Sequence, residues 1–369
     1  MKLKTTPLFL GLCLATMLLP LSSLSEQNSP PPQLQPQPAG PSLPPPGGTD
    51  RQITLDVQVT DRYGAPVRGL QKQDFTLMDD EQPKNILSFH AVDSATGSTA
   101  DPPVEIILVI DAVNASPETV AYERSEVKKF LRQNAGKLAQ PVSLVIFTNT
   151  GTKIQEGSSR DGNALASLYD QYETGVRSIT RSQGFYGAAE RSDLSIKAVT
   201  SLVAYERAQP GRKLVIWFSP GWPMLSGPNI QLSDKNERQL FNSIVEASTG
   251  LRQARIALYS VDPLGLDDAG EIRISYYKEF LKGITSSSRA LPGDLGLQVL
   301  AVQSGGRVFN SSNDLTGAIA NCEADANAFY VLSFDAARAD RANEYHSLGV
   351  TVDKPGITAR TRTGYYAQP

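Results

Sequence analysis

The feature that most constrains the fold is a short, almost uninterrupted apolar run in the first third of the chain. It extends from Val104 to Ile110, with Glu105 as its one charged residue, and ends at Asp111. A strand with one face in water would alternate apolar and polar residues, whereas a continuous run of this kind is typical of a strand covered on both faces. The run therefore predicts an inner strand of a sheet that is buried on both sides.

Apolar runs and amphipathic stretches alternate along the following residues. After Ser116, apolar residues recur at intervals of three and four, so we expect a helix with Ser116 as N-cap and Pro117 in its first turn. Further strands are predicted at 142–147, 213–218, 256–261 and 307–310, and helices near 194–207, 234–247 and 294–303. A short run at 152–155 predicts a hairpin with an antiparallel edge strand. The alternation predicts an α/β fold on a doubly wound, mostly parallel, Rossmann-like sheet.

Ligands of a doubly wound sheet bind at the carboxyl ends of its strands. The predicted ends here are 111–116, 148–151, 219–223 and 262–264. The candidate partner-binding side chains at these ends are Asp111, Asn114, Ser116, Ser219 and Trp222. Aromatic residues on such loops often anchor partners, so Trp222 is expected either to cap the sheet or to touch a partner. The long segment 264–291, which contains Tyr276-Tyr277, is a second candidate at this edge.

Alternating patterns flank this central region on both sides. Apolar residues occupy every second position from Ile53 to Val59, and short apolar segments return at 329–334 and 358–365. This alternation is typical of half-buried strands. Because each flank is too short to fold alone, we expect the two to pair into one β-sandwich module.

The first fifty residues predict export. Two lysines precede an apolar run of about fourteen residues from Leu8 to Leu21, which is the pattern of a secretory signal peptide. The run is shorter than the roughly twenty residues that span a bilayer, so we expect no stable membrane span after cleavage. An uncleaved signal, or a lipid on Cys13, is the alternative that would tether the chain to a membrane.

The predicted organisation has five parts and places the chain outside the cytoplasm, either secreted or periplasmic. They are a signal peptide at 1–25, a Pro-rich linker at 26–50, an N-terminal β segment at 51–97, an α/β domain at 103–327 and a C-terminal β segment at 328–369. Cleavage would leave Cys322 as the one cysteine, so we expect no internal disulfide.

Composition and missing motifs argue against several functions. The formal net charge is −3 without a long basic run, so we expect no nucleic-acid partner. Glycine-rich phosphate loops, H-E-x-x-H and C-x-x-C are absent. The two histidines, His90 and His346, both lie in the flanking β segments, which makes a Ser-His-Asp triad at the sheet edge hard to build. The carboxylate pairs Asp79-Asp80 and Asp267-Asp268 are predicted to be solvated loop residues.

The order of elements from Pro103 to Asn327 resembles a von Willebrand factor A domain. More narrowly, the chain resembles the bacterial VWFA-related proteins, which are known mainly from acidobacterial genomes. The motifs that carry this resemblance are Asp74-Phe75, Glu190-Arg191, Pro210-Gly211-Arg212-Lys213, Ser219-Pro220-Gly221-Trp222-Pro223, Ser304-Gly305-Gly306, Tyr345-His346 and Gly364-Tyr365-Tyr366. The resemblance implies a domain that binds its partner at the carboxyl ends of the strands.

Many A domains hold a divalent cation through an Asp-x-Ser-x-Ser loop, a threonine from a second loop and a later aspartate. Asp111 matches the first position, but Val113 and Ala115 stand where the serines belong. The later aspartate position falls in 219–221, which carries no carboxylate, and the threonine has no clear counterpart near 180–188. The resemblance therefore implies a degenerate metal site, and we expect no cofactor.

A rearranged site is the alternative, with Mg²⁺ held by the oxygens of Asp111, Asn114 and Ser116. The competing interpretation is structural: Ser116 caps the helix, Asn114 shapes the turn and Asp111 accepts backbone donors. We favour the structural interpretation for all three residues.

These patterns predict a non-catalytic, extracytoplasmic module for protein binding or assembly, whose partner is an envelope or secreted protein. Two alternatives stay open: a metal-dependent adhesion domain, and an extracytoplasmic hydrolase that uses Asp111 or Ser219. A carbohydrate is an alternative ligand.

Overall fold

The computed structural model describes residues 51–100, 102–173, 184–223, 232–265 and 275–369. The predicted signal peptide, the Pro-rich linker and the pair Asp267-Asp268 lie outside the described residues. So do residues 180–183 of the stretch 180–188 that was searched for a threonine. Of the long segment 264–291, the described part from Ser275 onward contains short 3-10 turns, including Tyr276–Phe280 and Ser287–Arg289.

The described strands and helices follow the chain in this order. The strands are β1 (Gln52–Asp61), β2 (Phe75–Asp79), β3 (Gln82–Lys84), β4 (Ser88–Asp93), β5 (Glu105–Asp111), β6 (Lys137–Thr148), β7 (Gly151–Ile154), β8 (Ser159–Asp161), β9 (Lys213–Phe218), β10 (Ile256–Val261), β11 (Val308–Phe309), β12 (Ala328–Asp335), β13 (Glu344–Val352), β14 (Ile357–Arg360) and β15 (Gly364–Ala367). The helices are α1 (Pro117–Leu131), α2 (Gly162–Glu173), α3 (Gly184–Glu206), α4 (Asp234–Gln253), α5 (Leu297–Gln303) and α6 (Leu315–Asn327).

The seven-stranded central sheet has the order β11-β10-β9-β5-β6-β7, with β8 also paired to β6. The pairs from β11 to β6 are parallel, whereas β7 and β8 run antiparallel to β6. The antiparallel sense of β7 follows from its connection, because Asn149 and Thr150 alone join it to β6 and a parallel return needs a crossover of about a dozen residues.

Strands from the two flanks form a β-sandwich of two four-stranded antiparallel sheets. One sheet has the order β14-β1-β12-β4 and the other has the order β15-β13-β2-β3. In the first sheet, β1 pairs with β12 from Gln52↔Asp335 to Val57↔Tyr330. In the second, β13 pairs with β2 and β15.

The predicted fold class, a doubly wound, mostly parallel sheet of the von Willebrand A or Rossmann type with flanking β segments, is wrong for this chain. Two of the three described sheets are wholly antiparallel, and the third is mixed. The alternation of strands and helices is confined to the middle of the chain and does not extend to the flanking strands. The flanking strands are joined mainly by short turns or pair across long stretches of sequence, and both arrangements produce antiparallel sheets here.

Three apolar clusters hold these layers together. One face of the central sheet packs against α1, α2 and α6, and the other face packs against α3, α4 and α5. The third cluster fills the space between the two sheets of the sandwich. The run 106–110 is almost completely buried, with no residue more than 1% exposed, which confirms that this strand is covered on both faces.

Candidate functional site

Asp111 ends β5 at the carboxyl edge of the parallel strands, and its carboxylate is surrounded by hydrogen-bond donors. Oδ1 accepts from the backbone N–H groups of Val113 (3.0 Å) and Asn114 (2.8 Å). Oδ2 accepts from Nδ2 of Asn114 (2.8 Å) and from the indole Nε1 of Trp217 (3.1 Å). The side chain is completely buried, and this burial raises its pKa although the hydrogen bonds oppose the shift. Asp111 is thus an internal acceptor that organises the loop.

Ser116 and Asn114 shape the same loop. The Oγ of Ser116 accepts from the backbone N–H of Thr119 at 3.1 Å, which confirms the predicted N-cap, and Pro117 occupies the first turn. Asn114 Nδ2 also lies 2.9 Å from Ser195 Oγ, a contact that ties the loop to α3. Both residues are half-buried, so a partner could still reach them.

The loop after β9 is less accessible than the sequence suggests. Ser219 is 0% exposed and its Oγ accepts from the N–H of Gly221 at 3.2 Å. Gly221 has φ +107°, and a Cβ there would lie 2.5 Å from Nε2 of Gln298, so this turn requires glycine. Trp222 is 4% exposed and packs edge-on against Trp217 with ring centroids 5.1 Å apart. Trp222 is therefore a core residue, and a direct partner contact would require the loop to move.

A buried acid that sequence reasoning missed lies on α1 near Asp111. Glu123 is 0% exposed, and among the described residues neither of its carboxyl oxygens has a hydrogen-bond partner. Burial raises its pKa well above the usual value, and the carboxylates of Asp111 and Asp262 add to the shift. Asp262 is 4% exposed and accepts from the N–H of Leu264 at 3.0 Å. Since the three acids lie in the interior, none of them can reach a substrate in this conformation.

The donors around Asp111 bear on the alternative of a rearranged Mg²⁺ site at Asp111, Asn114 and Ser116. A cation needs free oxygen lone pairs, but both carboxylate oxygens of Asp111 face N–H groups, and the Oγ of Ser116 caps a helix. The amide of Asn114 directs its nitrogen to Asp111 and Ser195, while its Oδ1 has no hydrogen-bond partner among the described residues. With the oxygens of Asp111 and Ser116 already in use, the loop offers Mg²⁺ one free oxygen rather than three.

The sandwich contains a second polar cluster that the sequence analysis assigned to the surface. Asp79 is 2% exposed, so the prediction that it is solvated is wrong. Its Oδ1 lies 3.2 Å from Nδ1 of His346, and its Oδ2 accepts from the hydroxyl of Tyr365 at 3.1 Å. Oδ2 of Asp80 lies 2.9 Å from the same nitrogen of His346. These contacts tie the β2–β3 hairpin to β13 and β15, and the ligand atoms of Asp79, Asp80 and His346 lie close enough together to hold a metal ion.

The positions of the histidines bear on the hydrolase alternative. His90 lies in β4 and His346 in β13, both in the sandwich. Ser219 and Asp111 lie at the carboxyl edge of the central sheet, so neither has a histidine from its own sheet as a base. Over the described ranges, no helix is both long enough and apolar enough to cross a bilayer.

Comparison with known proteins gives weak similarities only. No protein-family model matches the chain, and no curated protein matches it. Among solved structures, the human COPII-coat protein Sec24c is 9% identical at TM-score 0.34 and covers 72% of this chain and 44% of its own. A mutant of the PilB minor pilin from Streptococcus sanguinis is 12% identical at TM-score 0.33, with 61% and 62% covered.

The pilus adhesin SpaC from Lactobacillus rhamnosus GG is 10% identical at TM-score 0.34, with 71% and 44% covered. This chain therefore spans less than half of Sec24c and of SpaC, and less than two thirds of PilB. Scores of this size do not identify a shared fold.

Proposed function

We propose that the chain is an exported, non-catalytic module that binds a protein partner or supports assembly in the cell envelope. The observation that carries the proposal is the saturation of Asp111 by four N–H donors. Because N–H groups already occupy both oxygens of this carboxylate, the arrangement supports contact with a partner at this edge over metal binding or proton transfer. The signal-peptide pattern and the resemblance to VWFA-related proteins support the same proposal.

The contact surface that we propose consists of Asn114, Ser116 and Tyr122, and we call it the edge surface. Tyr122 projects from α1, is 39% exposed, and donates its hydroxyl to the carbonyl oxygen of Asn313 at 2.8 Å. Asn313 follows β11, so this bond joins α1 to the loop after β11. A tyrosine that is held at one end and open along its ring is a residue type that anchors protein interfaces.

Photocrosslinking in the native organism tests this proposal. p-Benzoylphenylalanine would replace Tyr122 in one variant and Tyr63 in a matched control, because Tyr63 is 79% exposed on the turn after β1 in the sandwich. We expect a discrete adduct with an envelope or secreted protein from position 122, and much less of it from position 63. Binding of the purified adduct partner should then fall in Tyr122→Ala and stay unchanged in Tyr63→Ala.

Two outcomes would contradict the proposal. Equal adduct yields from both positions would mean that the partner does not bind preferentially at the edge surface. Turnover in a broad hydrolase screen that is lost in Ser219→Ala would show that the chain is an enzyme.

A further inference from the structure

Four arginines converge on one small cavity between the sandwich and the amino-end edge of the central sheet. Arg212 and Arg255 immediately precede β9 and β10, Arg252 lies in the last turn of α4, and Arg362 follows β14. Among the described residues, the one carboxylate that lines the cavity is Asp56 of β1. The cavity is small, with about 20 Å³ available to the centre of a water-sized sphere, and it is partly open to solvent.

The positive charge in this cavity exceeds the negative charge. Asp56 is shared, since its Oδ1 lies 2.5 Å from Arg255 and its Oδ2 lies 3.7 Å from Nε of Arg212. Burial would raise the pKa of Asp56, but the two arginines outweigh it and the pKa is lowered. Asp56 is therefore ionised, and it already forms ion pairs with two of the four guanidinium groups.

Buried guanidinium groups need an acceptor for each N–H, and some of their nitrogens here lack one although Arg212 also donates to the carbonyl oxygen of Asp325 and Arg255 to Asp56. Within the described residues, Nε of Arg212 and Nε of Arg255 are buried without a hydrogen-bond partner, and Arg212 is 2% exposed. Arg362 is 8% exposed and forms no ion pair with a described carboxylate. Burial and the neighbouring Arg252 lower the pKa of Arg362 to about 9. An unbalanced buried cation is costly unless an anion accompanies it.

We propose that this cavity binds a small tetrahedral oxyanion of the phosphate class. Guanidinium groups donate paired N–H bonds to such oxygens. Because the arginines approach from three different chain segments, around 212, 252–255 and 362, the donors favour a tetrahedral ligand over a planar carboxylate. A doubly charged anion would also offset the surplus of Arg212, Arg255 and Arg362 over the single carboxylate of Asp56.

The anion would link two parts of the fold. Asp56 and Arg362 belong to the sandwich, whereas Arg212, Arg252 and Arg255 belong to the central sheet and its helix. Two motifs that the sequence analysis singled out, 210–213 and 304–306, contribute Arg212 and the backbone around Ser304 and Gly305. The proposed anion site thus gives a role to residues of these two motifs, which are not part of the edge surface.

Calorimetric titration of the full chain with inorganic phosphate, and separately with sulfate, at ionic strength held constant with NaCl, tests the proposal. We expect saturable binding, a rise in the thermal midpoint with phosphate, and at least tenfold weaker binding in Arg362→Gln. Arg62→Gln, which removes an exposed arginine from the turn after β1, is the matched control and should bind like the wild type. In phosphate-free buffer, Arg362→Gln should unfold at equal or higher urea concentration than the wild type, since a buried unbalanced charge is gone.

Arg252→Gln provides a second variant if Arg362→Gln does not fold, and we again expect at least tenfold weaker binding. The proposal is overturned if phosphate gives no saturable signal, if chloride alone at matched ionic strength produces the same stabilisation, or if the folded arginine variants bind phosphate as tightly as the wild type.

Discussion

The indole Nε1 of Trp217 donates to Oδ2 of Asp111 at 3.1 Å, which joins two neighbouring parallel strands at their carboxyl edge. Three further N–H groups from the loop after β5 also donate to the carboxylate. The carboxylate of Asp111 is therefore bound inside the protein, with none of its surface exposed. The contribution of Asp111 to stability and its effect on magnesium binding can be measured in separate experiments.

Replacing Asp111 with asparagine should destabilise the fold. The amide supplies one acceptor oxygen for four donors and turns an NH₂ group toward some of them. With about 1–3 kcal/mol lost for each buried donor that is left unpaired, we expect the free energy of unfolding to fall by roughly 2–4 kcal/mol. Urea denaturation measures the change. Ser116→Ala is the comparison, since loss of the cap alone should cost about 1 kcal/mol, and equal effects of the two variants would contradict this account.

Magnesium should not bind at the edge of the central sheet. Calorimetric titration with MgCl₂ should give no saturable heat that depends on Asp111, because N–H groups face both of its oxygens. Heat that is abolished in Asp111→Ala would contradict the expectation. Heat that persists in Asp111→Ala and disappears in Asp79→Asn would instead come from the cluster of Asp79, Asp80 and His346.

Glu206 should make the fold less stable as the pH rises. It is 1% exposed, and burial together with the carboxylate of Glu105 raises its pKa to about 7. The folded state therefore holds this proton more tightly than the unfolded state, whose pKa is about 4.5. The stabilisation is complete below about pH 4.5 and is lost as the pH passes 7, with a loss of roughly 3 kcal/mol by pH 8.

Urea midpoints between pH 5 and pH 8 for the wild type and Glu206→Gln check this expectation. The variant should show a shallower decline with pH than the wild type. Glu156→Gln, which removes an exposed carboxylate, controls for the change in net charge. Parallel curves for the wild type and Glu206→Gln would refute the assignment.

Leu55 and Leu332 face each other across the β1–β12 pairing, and both are 0% exposed. Truncation of either to alanine should cost about 2–5 kcal/mol. Because the two share one site, the double variant should deviate from the sum of the single effects by at least about 0.5 kcal/mol. Leu87→Ala, at a position 50% exposed, should cost much less. Strict additivity in urea denaturation would argue against this register.

The elements that were predicted well carry strong local signals. The strands at 213–218 and 256–261 have the predicted bounds, and Ser116 caps α1 as its position before Pro117 indicates. The helix α2 was missed, and α3 begins ten residues earlier than predicted, at Gly184. The first turns of α3 mix glycine, aromatic and charged residues without a clear apolar face, so their helical state depends on tertiary contacts.

The environment of the candidate residues could not be predicted to the same extent. Adjacent carboxylates are usually exposed to water. Asp79 is instead buried in the sandwich, where it contacts the hydroxyl of Tyr365 and the imidazole of His346, two residues that are distant in the sequence. The burial of Trp222 depends on Trp217, and that of Glu123 depends on the packing of α1 against the sheet. The topology of the fold determines which residues from distant segments meet. The periodicity of a single segment therefore cannot predict such contacts.

The position of β12 in its sheet has a consequence for the order of folding. It lies between β1 and β4, although its residues follow those two strands by more than two hundred positions. The central sheet contains every strand that it needs before β12 emerges, whereas β1 and β4 must wait with open edges. We therefore expect the sandwich to close last, and pulse-labelling hydrogen exchange should find β5 protected earlier than β1. Until β12 pairs with them, β1 and β4 have unpaired edges, and unpaired strand edges make a folding intermediate prone to aggregate.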